Sequence, residues 1–219
     1  MRFIAKASPP STVTETLMAS TTDLSTAKRA RTAFDQIDKG AARTQLAKEQ
    51  GELCAFCMRW IDPDPKAVDA RGEPMMKIAH RTPIDVDPAQ ALTWKNLLGS
   101  CDGGQRAQWR TKSCDAAQGS TPLTVDPTEK ASCAKLKYER RGTQVGLFIT
   151  SEDPALKADV ERTLGLNSGD LPELRQKAWE AFVLLQKKHA PTKYGHPARV
   201  AFFPVWMKRH EGRLPRCSA

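Results

Sequence analysis

The sequence predicts an α+β protein with helical segments on both sides of a small central module. Three observations support this prediction. Apolar residues recur at helical spacing within residues 27–50 and again within 171–188, whereas residues 144–150 form a short run of β-forming side chains. Between these segments, residues 51–119 contain Cys, His, Trp and Asn among turn residues and show little periodicity. Such a composition is typical of a small module that a bound metal ion organises.

The N-terminal segment, residues 1–50, divides into a lead-in and a helical part. Residues 8–26 contain ten Ser/Thr and a Pro-Pro pair, so we expect an extended stretch that runs along the surface. Residues 27–50 are interrupted at Gly40, and we expect two short helices or one broken helix there. One helical face carries three apolar residues: Phe34, Ile37 and Leu46.

The C-terminal segment, residues 131–219, combines strand and helix signals. Residues 144–150 predict one or two short strands, residues 154–164 predict a helix, and residues 171–188 predict a second helix. The apolar positions of the second helix recur at intervals of three and four, which indicates a core face. These positions are Leu171, Leu174, Ala178, Phe182 and Leu185.

The chain has the composition of a globular protein with a basic C-terminus. Its 219 residues are 40% hydrophobic and 27% charged, with a formal net charge of +9. Residues 187–216 hold eight Lys/Arg and one acid. This stretch favours a polyanionic partner, because cations that neutralise phosphates release condensed counterions, and a solvated basic tail is the alternative. Phe202, Phe203 and Trp206 either anchor this tail to the core or stack on bases.

The sequence also indicates where the protein resides. No run approaches the roughly 18 apolar residues that a membrane-spanning helix needs, and the N-terminus lacks the apolar centre of a signal peptide. We therefore expect a cytoplasmic protein that has no membrane partner. In a reducing compartment, closely spaced cysteines indicate metal binding in preference to disulfides.

Four cysteines have the arrangement of a metal site. Two residues separate Cys54 from Cys57, a spacing at which both thiolates reach one tetrahedral zinc ion. Cys101 and Cys114 are candidates for the other pair, although the gap of residues 102–113 is wider than usual. We expect these four residues to hold a structural Zn²⁺. Four unrelated thiols are the alternative, and a zinc determination decides between the two.

Between the cysteine pairs lie polar segments that fit hydrolytic chemistry. They read KIAHRTP at 77–83, TWKNLL at 93–98 and SCD at 113–115. A hydrolytic nuclease must deprotonate a water molecule in line with the phosphorus atom and neutralise the charge that develops. His80 suits the first task because a neutral imidazole accepts a proton near neutral pH, while a purely structural role is the alternative for a single histidine.

The order of these segments resembles the HNH, or ββα-metal, nucleases. That family has a Cys pair, a strand that ends in the catalytic His, an Asn in the following loop, and a second Cys pair that leads into a short helix. The resemblance implies a zinc-stapled ββα-metal core within residues 51–130, with helices before and after it. It also implies that His80 is the general base and that Asn96 organises the loop or binds metal.

The chain is similar over nearly its whole length to the HNH proteins of Septu and retron-associated anti-phage defence systems, usually called PtuB-like. The shared features are MRFI at 1–4, LAKEQGELCAFC at 46–57, WKNLLGSC at 94–101, CDAAQG at 114–119, VDP at 125–127, and LGLN at 164–167 with Leu171 and Arg175. The resemblance implies an ABC/SMC-type, PtuA-like ATPase as partner. Membership of a larger complex with a retron reverse transcriptase and its non-coding RNA stays open.

Two positions depart from the HNH pattern. Ala79 stands where many HNH enzymes have a metal-binding acid, and Asp115 replaces the final His of the motif. A carboxylate at position 115 is a hard oxygen ligand, so it can hold a catalytic Mg²⁺ or Mn²⁺ together with Asn96. Asp85 or Asp87 could replace the acid that is missing before His80.

These observations together predict an HNH endonuclease that hydrolyses phosphodiester bonds as the effector of a defence system controlled by the ATPase. The expected catalytic residues are His80, Asn96 and Asp115, and Arg81 and Lys95 are expected near the phosphates. No segment reads bases, so DNA and structured RNA such as tRNA both stay open. The alternative is a degenerate zinc module that binds nucleic acid or the ATPase without cleaving.

Overall fold

Helices and two small hairpins alternate along the chain. The computed structural model describes residues 1–19, 22–70, 72–105 and 111–189. Its helices are α1 (Ser11–Met18), α2 (Ala27–Gln36), α3 (Lys39–Gln50), α4 (Cys114–Gln118), α5 (Lys130–Ala134), α6 (Pro154–Ala158) and α7 (Leu171–His189). Its strands are β1 (Lys77–His80), β2 (Leu97–Ser100), β3 (Leu136–Glu139) and β4 (Phe148–Ser151). The protein is therefore a mixed α+β fold with small sheets, and that prediction is confirmed.

The lead-in contains a helix where an extended stretch is predicted. The Pro10 carbonyl oxygen accepts hydrogen bonds from the N–H groups of Val13 and Thr14, which starts α1. The Val13 side chain is buried and belongs to the core, so packing stabilises a helix that the Ser/Thr-rich composition does not favour. The prediction of an extended surface stretch is therefore wrong for residues 11–18.

The helical part of the N-terminal segment forms two short helices. Their boundary lies at Ile37 and Asp38, so the prediction of an interruption at Gly40 is wrong by two residues. Asp38 starts the second helix early because its carboxylate accepts a hydrogen bond from the Ala41 N–H at 2.9 Å. Gly40 consequently lies within the first turn of α3.

Gln50 attaches the end of α3 to β2. Its side-chain amide is buried, donates to the carbonyl oxygens of Leu53 at 2.7 Å and Gly99 at 2.8 Å, and accepts from the Gly99 N–H at 2.7 Å. The amide thus takes the place of a neighbouring strand along β2. This arrangement holds the helical segment against the central hairpin.

The central hairpin consists of β1 and β2, which pair in antiparallel fashion. The register runs from Lys77 opposite Ser100 to His80 opposite Leu97. One further hydrogen bond, from the Arg81 N–H to the Asn96 carbonyl oxygen at 2.9 Å, continues the ladder beyond His80. His80 therefore stands at the end of β1, where the chain enters the loop that returns to β2.

A second hairpin and the last helices complete the fold. β4 overlaps the end of the predicted strand region, residues 144–150, whereas β3, its antiparallel partner, is not predicted by the sequence. Asn167 fastens β4 because its side chain accepts from the Ile149 N–H at 2.9 Å and donates to the Ile149 carbonyl oxygen at 2.8 Å. After α6 the chain makes a π-helical turn at Asp159–Thr163 and then enters α7.

The predicted core face of α7 is present as far as its side chains are described. Leu171, Leu174 and Ala178 are buried, whereas the side chains of Phe182 and Leu185 lie outside the described part of the chain. The basic stretch from residue 190 onward, including the three tail aromatics, also lies outside it. Within the described residues, none of the helices has the length and the apolar character needed to cross a bilayer.

One continuous core joins the three segments of the chain. Buried residues from each segment belong to it, among them Ile4, Leu46, Phe56, Leu98 and Leu164. All four candidate metal-binding cysteines are members of this core. The helices before and after the central hairpin therefore pack around the cysteines.

Candidate metal centre and active site

The first cysteine pair lies on a tight turn between α3 and β1. The Cys54 N–H donates to the Arg59 carbonyl oxygen at 2.7 Å, and the Met58 N–H donates to the Cys54 carbonyl oxygen at 3.1 Å. Met58 has a φ of 66°, a left-handed conformation that reverses the chain directly after Cys57. Both cysteine side chains are buried, so the turn directs both sulfur atoms into the interior.

The second pair comes together although a wide insertion separates its members. Cys101 directly follows β2, and Cys114 is the first residue of α4. The Ser113 N–H donates to the Gly103 carbonyl oxygen at 2.9 Å, which closes the insertion at its base. Gly103 has a φ of 67°, and a Cβ atom there would lie 2.1 Å from the Ser113 carbonyl oxygen. Glycine at this position therefore allows the two ends of the insertion to cross.

The four sulfur atoms form a compact buried cluster, all within 4.8 Å of one another. The separations are 3.8 Å for Cys54 and Cys114, 3.7 Å for Cys57 and Cys101, and 3.7 Å for Cys101 and Cys114. A tetrahedron with metal–sulfur bonds of about 2.3 Å has edges of about 3.8 Å, which matches these separations. The prediction that the four cysteines gather at one metal-binding position is confirmed.

The electrostatics of the cluster favour a bound cation. Although burial favours the neutral thiol, hydrogen bonding with Cys101 and Cys114 lowers the pKa of Cys54 well below its ordinary value. Hydrogen bonds with the other cysteines, together with burial, raise the pKa of Cys114 well above its ordinary value. One thiolate therefore suppresses ionisation of its neighbours. A divalent cation removes this conflict because it binds four thiolates at once.

His80 has a defined tautomer. Its Nε2 atom lies 3.0 Å from the Ala91 carbonyl oxygen, which can only accept a hydrogen bond, so Nε2 carries the proton. The Nδ1 atom of neutral His80 consequently holds the free lone pair. Ala91 lies in the loop between the strands, so the loop backbone determines which nitrogen can act as a base.

Helix α2 covers one side of the His80 ring. The rings of Phe34 and His80 meet edge to face, with centroids 4.6 Å apart and planes at 70°. Burial lowers the pKa of His80, and the cations of Lys39 and Arg31 act in the same direction. The imidazole is therefore neutral at pH 7, as a general base must be.

Asn96 holds the loop that carries the acceptor for His80. Its side chain is buried, accepts from the Thr82 N–H at 2.7 Å, and donates to the carbonyl oxygens of Thr82 at 3.0 Å and Gln90 at 3.1 Å. These bonds join both ends of the loop, and Gln90 directly precedes Ala91. Of the two roles predicted for Asn96, this geometry supports loop organisation, because both polar atoms of the amide are already engaged.

The position expected to bind a catalytic metal holds an ion pair. Asp115 lies in the first turn of α4, and its carboxylate is 2.8 Å from the Lys77 ammonium. Ala79, in place of the usual acid, is buried in the core. Asp115 nevertheless lies close enough to His80 for its charge to act on the imidazole, where it raises the pKa against the larger effect of burial.

The two aspartates proposed as substitutes for the missing acid have other partners. Both oxygens of Asp85 pair with the Arg31 guanidinium at 2.7 Å. Asp87 caps a 3₁₀ turn, because its carboxylate accepts from the Ala89 N–H at 3.2 Å and from the Gln90 side chain at 2.6 Å. Within the described part of the chain, neither residue joins Asp115 in a group of three or more potential metal ligands.

The two cations expected near the phosphates differ in their surroundings. The Arg81 guanidinium lies 3.4 Å from the buried carboxylate of Asp126 and donates to the Leu123 carbonyl oxygen at 3.3 Å. This engagement gives Arg81 a structural partner. Lys95 is exposed, and its ammonium lies 3.5 Å from the exposed carboxylate of Glu129. Such a surface ion pair contributes little to stability and dissociates readily.

Lys39 and Lys77 are not predicted as site residues from the sequence, and Phe34 is predicted only as part of a helical face. The Lys39 ammonium lies 3.6 Å from the Phe34 ring centroid and 2.9 Å from the exposed Asp35 carboxylate. Phe34 therefore contacts both a cation and the His80 imidazole. No local pattern predicts this contact, because α2 and β1 are distant in sequence and meet only when the chain folds.

Comparison with known proteins adds no family assignment. None of the protein-family models matches the chain, and none of the curated proteins matches it.

Proposed function

We propose that the protein is an HNH-type endonuclease that hydrolyses phosphodiester bonds, with His80 as the general base. One observation carries the proposal. A neutral histidine at the end of β1 has Nε2 bonded to the Ala91 carbonyl oxygen and Nδ1 available as a proton acceptor. The hairpin, the following helix α4 and the cysteine cluster that joins them support the ββα-metal core expected from the sequence.

The reaction follows from this tautomer. Nδ1 of His80 takes a proton from a water molecule, and the water oxygen forms a new bond to phosphorus as the bond to the leaving oxygen breaks. The leaving oxygen then takes up a proton from solvent. The Ala91 carbonyl oxygen stabilises the imidazolium that forms, because it accepts the hydrogen bond from Nε2. Asn96 contributes by holding the backbone next to Ala91.

Asp115 is the residue that would hold a catalytic Mg²⁺ or Mn²⁺. One carboxylate together with substrate phosphates and water molecules is a donor set that Mg²⁺ accepts. When bound, such an ion neutralises charge on the oxygens around phosphorus. Lys77 competes with it, because its ammonium already pairs with this carboxylate at 2.8 Å.

Two lysines are better suited to contact substrate phosphates than Arg81. Within the described part of the chain, Lys39 and Lys95 each pair with an exposed carboxylate, and a phosphate group can displace such a partner at little cost. Arg81 pairs with a buried carboxylate and would leave it uncompensated on moving. We therefore assign phosphate contacts to Lys39 and Lys95.

A second candidate function is a zinc module that binds nucleic acid or a protein without cleaving. The ion pair between Lys77 and Asp115, together with the buried Ala79, favours it, because the pair leaves no free carboxylate at the position expected for a catalytic metal. The cysteine cluster would be retained in either case. Binding without metal-dependent cleavage distinguishes this candidate from the nuclease.

The cellular role that we propose rests on the sequence resemblance. A PtuB-like nuclease would act in anti-phage defence beside an ABC/SMC-type ATPase that controls it. A retron reverse transcriptase and its non-coding RNA are the further partners to test. Four buried cysteines suit a structural Zn²⁺ in the reducing cytoplasm, which is where we expect the protein to act.

The proposal is tested by cleavage of plasmid DNA and bulk tRNA in Mg²⁺, Mn²⁺ or EDTA, with the cognate ATPase present. We expect His80→Ala to lower the rate by about 10²- to 10⁴-fold, the usual contribution of a general base. Asn167→Ala is the matched control, because Asn167 stabilises the fold through two side-chain hydrogen bonds to Ile149 in the second hairpin. Full cleavage by His80→Ala would contradict the general-base assignment.

A further inference from the structure

Helix α7 contains a buried arginine that bonds to backbone carbonyl oxygens. Arg175 is 4% exposed, and its guanidinium donates to the carbonyl oxygens of Leu147, at 2.9 Å, and Leu166. Its Nε atom is buried without a hydrogen-bond partner. No carboxylate of residues 1–19, 22–70, 72–105 or 111–189 forms an ion pair with Arg175, which therefore requires another source of negative charge.

Several arginines that are less deeply buried than Arg175 are compensated by an acid. Three of these have carboxylate partners: Arg59 with Asp170, Arg81 with Asp126 and Arg141 with Glu161. Removal of a charge from water costs several kcal/mol unless an opposite charge compensates for it. Two backbone carbonyl oxygens supply partial charges but no net charge. Within the described part of the chain, the cysteine cluster offers such a charge.

The segment that precedes α7 connects Arg175 to this cluster. The Leu164 carbonyl oxygen accepts from the Cys114 N–H at 2.8 Å, and two residues later the Leu166 carbonyl oxygen accepts from Arg175. Gly165, between them, lies against the chain before Cys114, and a Cβ atom there would be 2.8 Å from the Lys112 carbonyl oxygen. Burial lowers the pKa of Arg175, while Tyr138 and then Cys57 and Cys114 act to raise it.

We propose that Arg175 is the counter-charge of the cysteine metal centre and that metal binding thereby holds helix α7 in place. The inference rests on the structural metal of the proposed function. A Zn²⁺ ion with four thiolates carries two net negative charges, and Arg175 offsets one of them in a region that excludes water. Without the metal, the cluster holds fewer thiolates, and the buried guanidinium loses its compensation.

This coupling is reciprocal. If the bound metal stabilises the docked position of Arg175, then Arg175 raises the affinity for the metal by the same factor. Substitutions just outside the ligand shell typically weaken metal binding by about 10- to 100-fold. We expect a loss of this size when the charge at position 175 is removed, even though all four ligands are retained.

The test is a competition titration of the full-length protein with a chromophoric zinc chelator. Arg175→Gln removes the charge but keeps an amide donor, whereas Arg175→Lys keeps the charge and loses the planar guanidinium group. We expect zinc affinity to fall about 10- to 100-fold in the first variant and much less in the second. Arg141→Gln is the control, because Arg141 pairs with Glu139 and Glu161 and should leave the affinity unchanged.

Unchanged zinc affinity in Arg175→Gln, or equal losses in Gln and Lys variants, would overturn the inference. Absence of stoichiometric metal from the wild-type protein would instead overturn the metal centre itself. If Arg175→Gln does not fold, hydrogen exchange on the wild type decides the question. Chelation should then remove protection from α7 together with residues 54–59, and retained protection of α7 would refute the coupling.

Discussion

Replacement of Asn96 by alanine tests how the candidate active site is held together. The Asn96 side chain makes three hydrogen bonds in a buried position, two with Thr82 and one with the Gln90 carbonyl oxygen. Alanine removes all three and leaves the backbone partners without replacements. Because Gln90 precedes Ala91, the loop should move and release Nε2 of His80. We therefore expect losses of both stability and activity.

The expected loss of stability follows from the number of backbone groups that are left without a hydrogen-bond partner. A buried polar group that loses its hydrogen bond costs about 1–3 kcal/mol, and the loop can recover part of this by admitting water. We expect Asn96→Ala to lower the free energy of unfolding by about 3–5 kcal/mol. For a chain of this size, such a loss corresponds to a fall in Tm of about 6–20 °C.

The assay combines thermal unfolding with nuclease activity measured well below Tm. Asn167→Ala is the matched control, because Asn167 makes two equivalent bonds to the backbone of Ile149. It should lose stability and keep activity. Relative to the wild type, Asn96→Asp should be less destabilised at pH 4.5 than at pH 8, because two carbonyl oxygens face the new carboxyl group and raise its pKa when folded.

A loss of less than about 1 kcal/mol in Asn96→Ala would refute the role of Asn96 as the loop clamp. So would a variant that loses stability but cleaves at the wild-type rate below its Tm. If Asn96→Ala lost metal-dependent cleavage with no change in stability, Asn96 would be a direct ligand of the catalytic metal.

Three further predictions follow from the site. Burial lowers the pKa of His80 in the folded protein, so the unfolded chain binds its proton first, and stability should fall as the pH drops below about 6.5. The stability of His80→Gln, measured by denaturation, should fall less steeply with pH. An identical dependence of stability on pH in the two proteins would contradict this prediction. Phe34→Leu should expose the imidazole and raise the pKa of His80 in an NMR titration, whereas an unchanged value would show that Phe34 does not shield it. Gly103→Ala should weaken zinc binding in a chelator competition, because its Cβ atom would meet the Ser113 carbonyl oxygen. Gly169→Ala is the control, because Gly169 also has a positive φ but has open space around it, and this variant should bind zinc normally. Equal effects of the two variants would mean that backbone strain alone matters.

Features that depend on neighbouring residues could be predicted from the sequence. The pair Cys54 and Cys57 was identifiable because one turn brings both sulfur atoms to one side. The helix from Leu171 was identifiable because its core face repeats every three to four residues. The helix at residues 11–18 was not predicted, because burial of Val13, and not local composition, stabilises it. β3 was missed because only its pairing with β4 defines it.

The sequence by itself determined which chemical groups are available: four of the six thiols in the order of a metal site, His80 between them, and Asp115 directly after Cys114. Only the tertiary structure decided what each group contacts. It set the tautomer of His80 through the Ala91 carbonyl oxygen, paired Asp115 with Lys77, and bonded the buried Arg175 to the Leu166 carbonyl oxygen. Side-chain chemistry is a property of each residue, whereas protonation, pairing and burial depend on groups that are far apart in the chain and meet only in the packed core.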